Sequence, residues 1–178
     1  MKGFLIFPLL LLSILSYSQD APLVSMNGIG EIRIGMKKAA LEKLLNKPLP
    51  LMHFGRKNDE SYEDTAHVVY KGIDMDVFFQ QEYGEDKKVS ITVSGVRSSS
   101  PLLKTRSGIT IGDDKIKVIT TYESYTMNLV PEYETDGTTK SKTRSTIWLL
   151  SDQGSTAIMF HLTNNRITGF SVRANEGC

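Results

Sequence analysis

Short stretches of alternating apolar and polar residues recur between residues 66 and 94 and again between residues 145 and 172. A period of two is typical of β-strands that bury one face only. The pattern predicts six strands, at residues 66–70, 73–80, 88–94, 145–150, 156–163 and 166–172. The side chains expected to face the core are Ile73, Met75, Val77, Phe79, Ile147, Leu149, Ile158, Phe160 and Leu162.

The last predicted strand does not alternate cleanly. Ile167 and Phe170 have opposite parity, so either a β-bulge intervenes or both faces of the strand are partly covered. The Asn164-Asn165 pair before this strand is typical of a two-residue hairpin turn. Because hairpins join antiparallel strands, each half of the chain is expected to contain an antiparallel meander.

A short motif occurs twice, because the Ile34-Gly35 pair recurs 77 positions later as Ile111-Gly112. Each pair ends an Ile-x-Ile stretch and precedes an apolar pattern at helical spacing. Glycine tolerates the backbone angles needed where an extended chain turns into a helix. Repetition at this distance indicates two copies of one small α/β module.

A helix is therefore predicted after each glycine. The first begins near Met36 and stops before Pro48, since proline cannot continue the backbone hydrogen-bond ladder. In the second, Asp113 and Asp114 place carboxylates at the helix start. The residues expected on the apolar sides are Ala40, Leu41, Leu44 and Leu45 in the first helix and Ile116, Val118, Ile119 and Tyr122 in the second.

Together these elements predict an α+β fold of two tandem repeats. Each repeat would be a helix, or a helix pair, packed on an antiparallel β-meander, and the two meanders would form one continuous sheet. The repeats are assigned to residues 19–97 and 98–178. The join at residues 98–101 is short, which favours modules packed side by side over two independent domains.

The first eighteen residues are interpreted as a signal peptide. Lys2 is followed by an apolar run at residues 4–15 and by small residues at Ser16 and Ser18. The run is shorter than the roughly 20 residues that span a bilayer, so we expect cleavage before Gln19 and no membrane span in the mature chain. No cysteine follows the run to carry a lipid. The expected location is the periplasm or the medium of a bacterium.

Charge and cysteine content exclude some classes of function. The 21 basic and 20 acidic residues nearly balance, which argues against a nucleic-acid partner. Lys140, Lys142 and Arg144 form a small basic cluster that is expected in a solvated loop. The single cysteine, Cys178, ends the chain, so an intramolecular disulfide is excluded, while a free terminus and a link between chains both stay open. The oligomeric state is also open.

No residue set predicts catalysis, a metal or a cofactor. The three histidines, His53, His67 and His161, lack the close spacing of zinc ligands. Nucleophile-elbow and phosphate-binding motifs are absent from the sequence. Asp74 and Asp76 stand two apart, so both carboxylates should lie on the solvent side of a strand, where a polar face is favoured over an acid pair or cation site.

The predicted partner-binding residues lie on the opposite side from the core. Trp148, Phe78 and Met159 have outward parity in their strands, and aromatic residues are enriched in binding hot spots. His161 shares that parity, and Tyr133 belongs to the long polar segment 123–143. That segment is interpreted either as a binding loop or as a cover that folds over the same face and forms a second small core.

The helix entry at Ile34-Gly35-Met36, continuing through Lys38, resembles the helix–sheet module of the bacterial outer-membrane assembly lipoproteins. Two such modules in tandem resemble the secreted β-lactamase inhibitory proteins, the BLIP-like architecture. The resemblance covers residues 30–93 and 108–172. It implies a protein-binding role on a sheet surface, although this chain lacks the internal disulfides of the inhibitors and the lipid-bearing cysteine of the assembly family.

The leading hypothesis is thus an exported, non-enzymatic protein-binding module that uses the outer sheet face and the loop around Tyr133. Its most concrete form is an inhibitor or immunity protein directed against a secreted enzyme or toxin. A structural or assembly factor of the cell envelope is the alternative. A small enzyme that uses Asp74, Asp76 or His161 ranks third.

Overall fold

The computed structural model describes residues 22–51, 63–83 and 89–175. The predicted signal peptide, His53 and Cys178 lie outside these residues. The strands are β1 (Leu23–Ser25), β2 (Gly28–Ile29), β3 (Ile32–Arg33), β4 (Glu63–Tyr70), β5 (Ile73–Tyr83), β6 (Val89–Ser98), β7 (Lys104–Thr105), β8 (Met127–Tyr133), β9 (Lys140–Leu150), β10 (Thr156–Thr163) and β11 (Arg166–Ala174). The helices are α1 (Lys38–Leu45) and α2 (Lys115–Thr121).

Seven of these strands form one antiparallel sheet in the order β4-β5-β6-β11-β10-β9-β8. The pairing of β6 with β11 joins the strands before residue 99 to those after residue 126, through the four pairs from Phe170–Ser98 to Arg173–Gly95. Two-residue turns connect β4 to β5 and β10 to β11. Asn164 and Asn165 have φ of 50° and 60°, which is the mirror-image turn that matches strand twist, so the predicted hairpin is confirmed.

The inner face of the large sheet carries the core. All nine side chains that the alternation assigned to the core are at most 4% exposed, so that prediction is confirmed. A second sheet, β3-β2-β1-β7, and the two helices add their apolar residues to the same cluster. These residues are Val24, Ile29 and Ile32 from the small sheet and Leu41 and Val118 from the helices, and Leu103 and Ile109 join the cluster from the segments that flank β7.

Both glycines of the repeated motif fasten a helix entry to the large sheet. Gly35 donates its N–H to the carbonyl of Val93, and the N–H of Val93 donates to Met36. In the second copy, Gly112 donates its N–H to the carbonyl of Ile167 on β11, and the N–H of Ile167 donates to Asp113. The φ values of 77° at Gly35 and 88° at Gly112 lie in the left-handed region that glycine tolerates, as expected from the sequence.

The predicted fold class is wrong. The structure is mostly β, with 55% of the described residues in strands and 11% in helices, and it has two sheets where helix-on-meander repeats were expected. The reason lies in the helices, which have eight and seven residues and bury one side chain each, Leu41 and Val118. Ile116 and Ile119 are 66% and 37% exposed, so only Val118 and Tyr122 of the predicted apolar side of α2 are buried. The small strands β1, β2 and β3 and several loop residues supply the rest of the inner layer.

The segment 123–143 is not a long loop. Its residues 127–133 form β8, an edge strand paired with β9, and β9 begins at Lys140, five residues earlier than the alternation suggested. The basic residues Lys140, Lys142 and Arg144 therefore lie on a strand, which corrects their assignment to a loop. Cross-strand pairing with β9 therefore replaces both the long loop and the cover over the outer face, and a role of these residues in binding stays a prediction.

A β-bulge explains the irregular last strand. The pairing of β10 with β11 shifts register between His161 and Leu162, so Thr168 is an extra residue on β11. Ile167 and Phe170 can then both face inward, and they are 1% and 0% exposed. Of the two explanations that the sequence left open, the bulge is the correct one.

The glycines differ in what a side chain would meet, and this difference is testable. Gly28 has φ of 139°, and an added Cβ would lie 2.1 Å from the carbonyl oxygen of Ile32, whereas a Cβ at Gly112 meets nothing within 4 Å. We expect Gly112→Ala to reduce the free energy of unfolding by about 1–2 kcal/mol, the usual cost of a left-handed non-glycine residue. Gly28→Ala should reduce the free energy of unfolding clearly more, because the backbone at Ile32 must also move.

Chemical denaturation of both variants against the wild type measures the two costs. Equal destabilisation by the two substitutions would contradict the close approach of β2 to β3 described above.

Candidate functional site on the outer sheet face

The outer face of the large sheet is the side turned away from the core. One row of directly opposed residues crosses it from edge to edge. In the order of the strands, the row consists of His67, Asp76, Arg97, Ser171, Met159, Trp148 and Asn128. Strands lie about 4.8 Å apart, so the row spans about 29 Å. Within the described residues, β1, β2, β3, α1 and α2 all contribute to the core on the other side.

Trp148 and Met159 form the apolar end of this row. They are direct cross-strand partners on β9 and β10, and both side chains are partly exposed. Their outward direction agrees with the alternation in the sequence. A tryptophan beside a methionine on an uncovered sheet offers a large apolar contact area, and tryptophan is enriched in binding hot spots.

Phe78 lies in the neighbouring row and is not in contact with Trp148, since β5 and β9 are four strands apart. The guanidinium of Arg173 stacks over its ring at 4.1 Å from the ring centre. Arg173 also pairs with Glu63 at 3.3 Å. Gly95 lies beneath this stack, and a Cβ there would come within 2.9 Å of Arg173 Cγ. The absence of a side chain at residue 95 thus allows Arg173 to cover Phe78.

Arg173 also connects Phe78 with the tryptophan end of the face. A hollow of about 400 Å³ lies between Trp148, Arg173 and Asn175, with Glu63 and Gln80 on its far side. The two aromatic residues therefore belong to one surface, although an arginine separates them.

His161 is largely enclosed and takes part in a hydrogen-bonded chain. Its Nε2 lies 2.7 Å from Ser171 Oγ, and its Nδ1 lies 3.4 Å from Thr146 Oγ1 and 3.6 Å from Glu132. Burial and the nearby Arg97 lower the pKa of His161, while Glu132 opposes them. The neutral imidazole is therefore the form that the folded protein favours.

The hydrogen-bonded chain around His161 connects a serine, a histidine and a carboxylate, as a catalytic triad does. Its serine, however, is not accessible to a substrate. A nucleophile must reach its substrate, and Ser171 is 2% exposed. The arrangement satisfies buried polar groups between neighbouring strands.

His67 lies between two carboxylates at the other end of the row. Its nitrogens are 3.3 Å from Asp74 and 3.1 Å from Asp76, and all three side chains are about half exposed or more. The hydrogen bond to Asp76 is the main cause that raises the pKa of His67. These residues border a hollow of about 410 Å³ that reaches His161. Asp74 and Asp76 face outward together, as the sequence predicted, and both contact His67.

Tyr133 is separated from the other predicted residues. It ends β8 with 51% of its surface exposed, and Arg144 binds its carbonyl oxygen and Glu134. Asn128, the partner of Trp148, is five residues away along β8, about 17 Å in a strand. The structure thus brings Trp148, Met159, His161 and Phe78 to one face and places Tyr133 at its margin.

Arg97 and Arg173 are the residues that sequence reasoning missed. Arg97 occupies the middle of the row, is exposed, and makes no hydrogen bond or ion pair with any described residue. Alternation with the buried Val96 and Val172 could have placed both arginines on the outer face. The sequence could not show that β6 and β11 are neighbours, which is what brings the two cations together.

Comparisons with protein-family models, curated proteins and solved structures found no match. The resemblance to the β-lactamase inhibitory proteins and the assembly lipoproteins therefore stays a prediction. Over the described ranges, no helix has the length and apolar character needed to cross a membrane. No group of three or more histidine, cysteine or acidic residues in these ranges is arranged to hold a metal ion.

The two described histidines should titrate on opposite sides of the ordinary histidine pKa of 6.5. NMR titration of the imidazole C–H signals should show His67 above this value and His161 below it, with His67→Gln and His161→Gln assigning the signals. Both signals on the same side would contradict the surroundings described here.

The lowered pKa of His161 has a consequence for stability. A histidine whose pKa falls on folding contributes stability that is present above the unfolded pKa and is lost as the pH falls through the folded pKa. We expect the wild type to lose stability below about pH 6.5. The His161→Gln variant should lose less stability than the wild type between pH 7.5 and pH 5, as measured by chemical denaturation at these two pH values.

Proposed function

We propose that this chain is a protein-binding module that docks a folded partner through the outer face of its seven-stranded sheet. The observation that carries the proposal is the row from Arg97 to Trp148. It combines an unpaired cation with a partly exposed tryptophan and methionine on a face that no described element covers.

The size of the face supports a protein as the ligand. Seven strands at about 4.8 Å and eight-residue strands at about 3.4 Å per residue give a surface of about 29 by 27 Å. This equals the roughly 800 Å² that each partner contributes to a standard interface. The hollows on the face are open and shallow, as a protein surface requires.

Charge selects the kind of partner. Arg173 already pairs with Glu63. Asp74 and Asp76 share the single His67, so that end of the row keeps a net negative charge. Arg97 forms no salt bridge with a described residue, although Asp76 lies opposite it on β5, and it stands between the apolar and the acidic ends of the row. A partner that presents a carboxylate to Arg97 and an apolar side chain to Trp148 would complement both features.

The module is proposed to act outside the cytoplasm, as an inhibitor or immunity protein against a secreted enzyme or toxin. The N-terminal sequence and the BLIP-like resemblance support this part of the proposal. The enclosed hydroxyl of Ser171 supports a binding role over a hydrolytic one.

Site-specific photo-crosslinking in cells that produce the protein tests the docking face. A benzophenone amino acid at Met159 should capture one dominant protein, and the same group at Ile116, on the opposite side, should not. Purified wild-type protein should compete with this capture, whereas Trp148→Ala and Arg97→Ala should compete poorly. Capture of the same protein from both positions would refute the proposed face.

Once the partner is captured, the affinities of the variants give the energetic test. Loss of a central hot spot costs about 2 kcal/mol or more, which is about a 30-fold loss of affinity, so we expect this for Trp148→Ala. Ile116→Ala, which removes an exposed side chain from α2, should leave the affinity unchanged. Inhibition of a captured enzyme supports the inhibitor form, whereas an outer-membrane protein as sole partner would exclude it.

A further inference from the structure

The free edge of β8 is a second surface that can pair with another chain. β8 is the last strand of the large sheet, and among the described strands it pairs only with β9. Asn128, Leu129 and Val130 on this strand are all exposed, the two apolar side chains by 48% and 44%. A strand edge with unpaired main-chain groups is a template for a further strand.

The hydrogen bonds to β9 determine which main-chain groups of β8 point to the free edge. Leu150 donates its N–H to the carbonyl of Thr126, the residue opposite it. In an antiparallel pair, opposed residues that exchange hydrogen bonds alternate with residues whose main-chain groups point to the other side. The main-chain groups of Asn128 therefore face β9, whereas the N–H and C=O groups of Met127 and Leu129 point outward.

Pro131 limits the length of this edge. By the same alternation its main chain also points outward, and proline has no N–H to donate. On the other side, the N–H of Tyr125 already donates to the carbonyl of Tyr122. The outward donors between Tyr125 and Pro131 are therefore the N–H groups of Met127 and Leu129.

A second copy of β8 matches this short edge. When two copies pair antiparallel about a two-fold axis at Asn128, Met127 of each copy lies opposite Leu129 of the other. These two residues exchange hydrogen bonds in both directions, so every outward donor between Tyr125 and Pro131 finds an acceptor. A two-fold contact of this kind uses the same surface on both copies and closes at a dimer.

The side chains fit the same register. Leu129 lies on the inner side of the sheet, since it is opposite the buried Ile147, and it would pack against Met127 of the other copy. On the outer side, the Asn128 amides of the two copies would lie opposite each other and could hydrogen-bond across the axis. Pairing would thus cover the exposed part of Leu129.

Charge permits this pairing as well. Residues 124–131 contain no charged side chain. In the register about Asn128, the nearest carboxylates, Glu123 and Glu132, align with Tyr133 and Ser124 of the other copy. Like charges are therefore not opposed, which would otherwise destabilise the pair.

The opposite edge of the sheet is different. β4 carries Glu63, Asp64 and His67, and Lys71 follows its last residue. Charged side chains along an edge strand are a common protection against pairing with another chain. The β8 edge has no such protection between residues 124 and 131, so it is the edge that is left to pair.

We propose that β8 is a dimerisation edge, at which two copies of this chain pair antiparallel about Asn128 and form one sheet across the two-fold axis. The paired segment is short, so the dimer is weak and forms as the protein concentration rises. The outer row of each copy continues through Asn128 into that of the other. The dimer does not depend on the proposed protein-docking role of that face.

Disulfide trapping tests the register. All variants carry Cys178→Ser, so that the introduced cysteine is the only thiol. Asn128→Cys should form a disulfide-linked dimer on mild oxidation, because opposed residues that do not exchange hydrogen bonds have their Cβ atoms closest, about 4.5–5.5 Å apart. Val130→Cys is the matched control. It should stay monomeric, since the two cysteines would be four positions apart along the strands, about 14 Å.

Sedimentation velocity tests dimerisation of the natural sequence. The sedimentation coefficient of the wild type should rise with protein concentration. Leu129→Lys should abolish this rise, because a lysine on an edge strand opposes pairing. Val69→Lys places the same charge on β4, where Val69 is 61% exposed, and should sediment as the wild type does. Circular dichroism should show the same fold for both variants.

Three results would overturn the proposal: a constant sedimentation coefficient, the same loss of the rise with both lysine variants, and equal disulfide formation at residues 128 and 130. If Asn128→Cys stays monomeric while a benzophenone amino acid at Leu129 captures a different protein in cells, the edge belongs to a strand of that partner. Failure of capture at Met159 would leave the dimer measurements unchanged, so the two proposals fail separately.

Discussion

The pairing of β6 with β11 is the contact on which the rest of the structure depends. These strands are the last of the two antiparallel groups, and four opposed residue pairs join them. Beyond that junction, each strand pairs with a helix entry, at Gly35 and Gly112 respectively. The pairing of β1 with β7 in the small sheet, through Leu23–Lys104 and Val24–Thr105, is a second and shorter link between the two halves of the described chain.

The seam also creates the outer face. It places Arg97 opposite Ser171 and Gly95 opposite Arg173. Because residue 95 has no side chain, the Arg173 side chain can lie across the sheet onto Phe78. Arg97 lies between Ser171 and Asp76 and forms no salt bridge with a described residue. Only Arg173 has a glycine opposite it across the seam, and only Arg173 lies over an aromatic ring.

The two sides of the large sheet offer different kinds of surface. Cross-strand pairing makes the outer side broad, which suits a protein. On the inner side, the small sheet and the two helices pack against the large sheet and share its core.

Local patterns in the sequence predicted six of the seven strands of the large sheet and their buried faces, because alternation depends only on neighbouring residues. They missed β8, whose exposed and half-buried residues do not alternate. They also located both glycine helix entries and the Asn164-Asn165 turn. Local patterns could not predict the fold class. An apolar stripe shows that a helix can form, but its length and burial depend on what packs against it, and here two-residue strands took that place.

The candidate site, too, was predicted from the sequence only in part. The outward direction of Trp148, Phe78, Met159 and His161 followed from parity in single strands. Which of them meet was decided by strand order, since Met159 and Trp148 are adjacent while an arginine separates Phe78 from them. The importance of Arg97 and the displacement of Tyr133 to the margin are likewise properties of pairing between distant segments. No local pattern specifies such pairing, because its free energy comes from contacts made only when the whole sheet has formed.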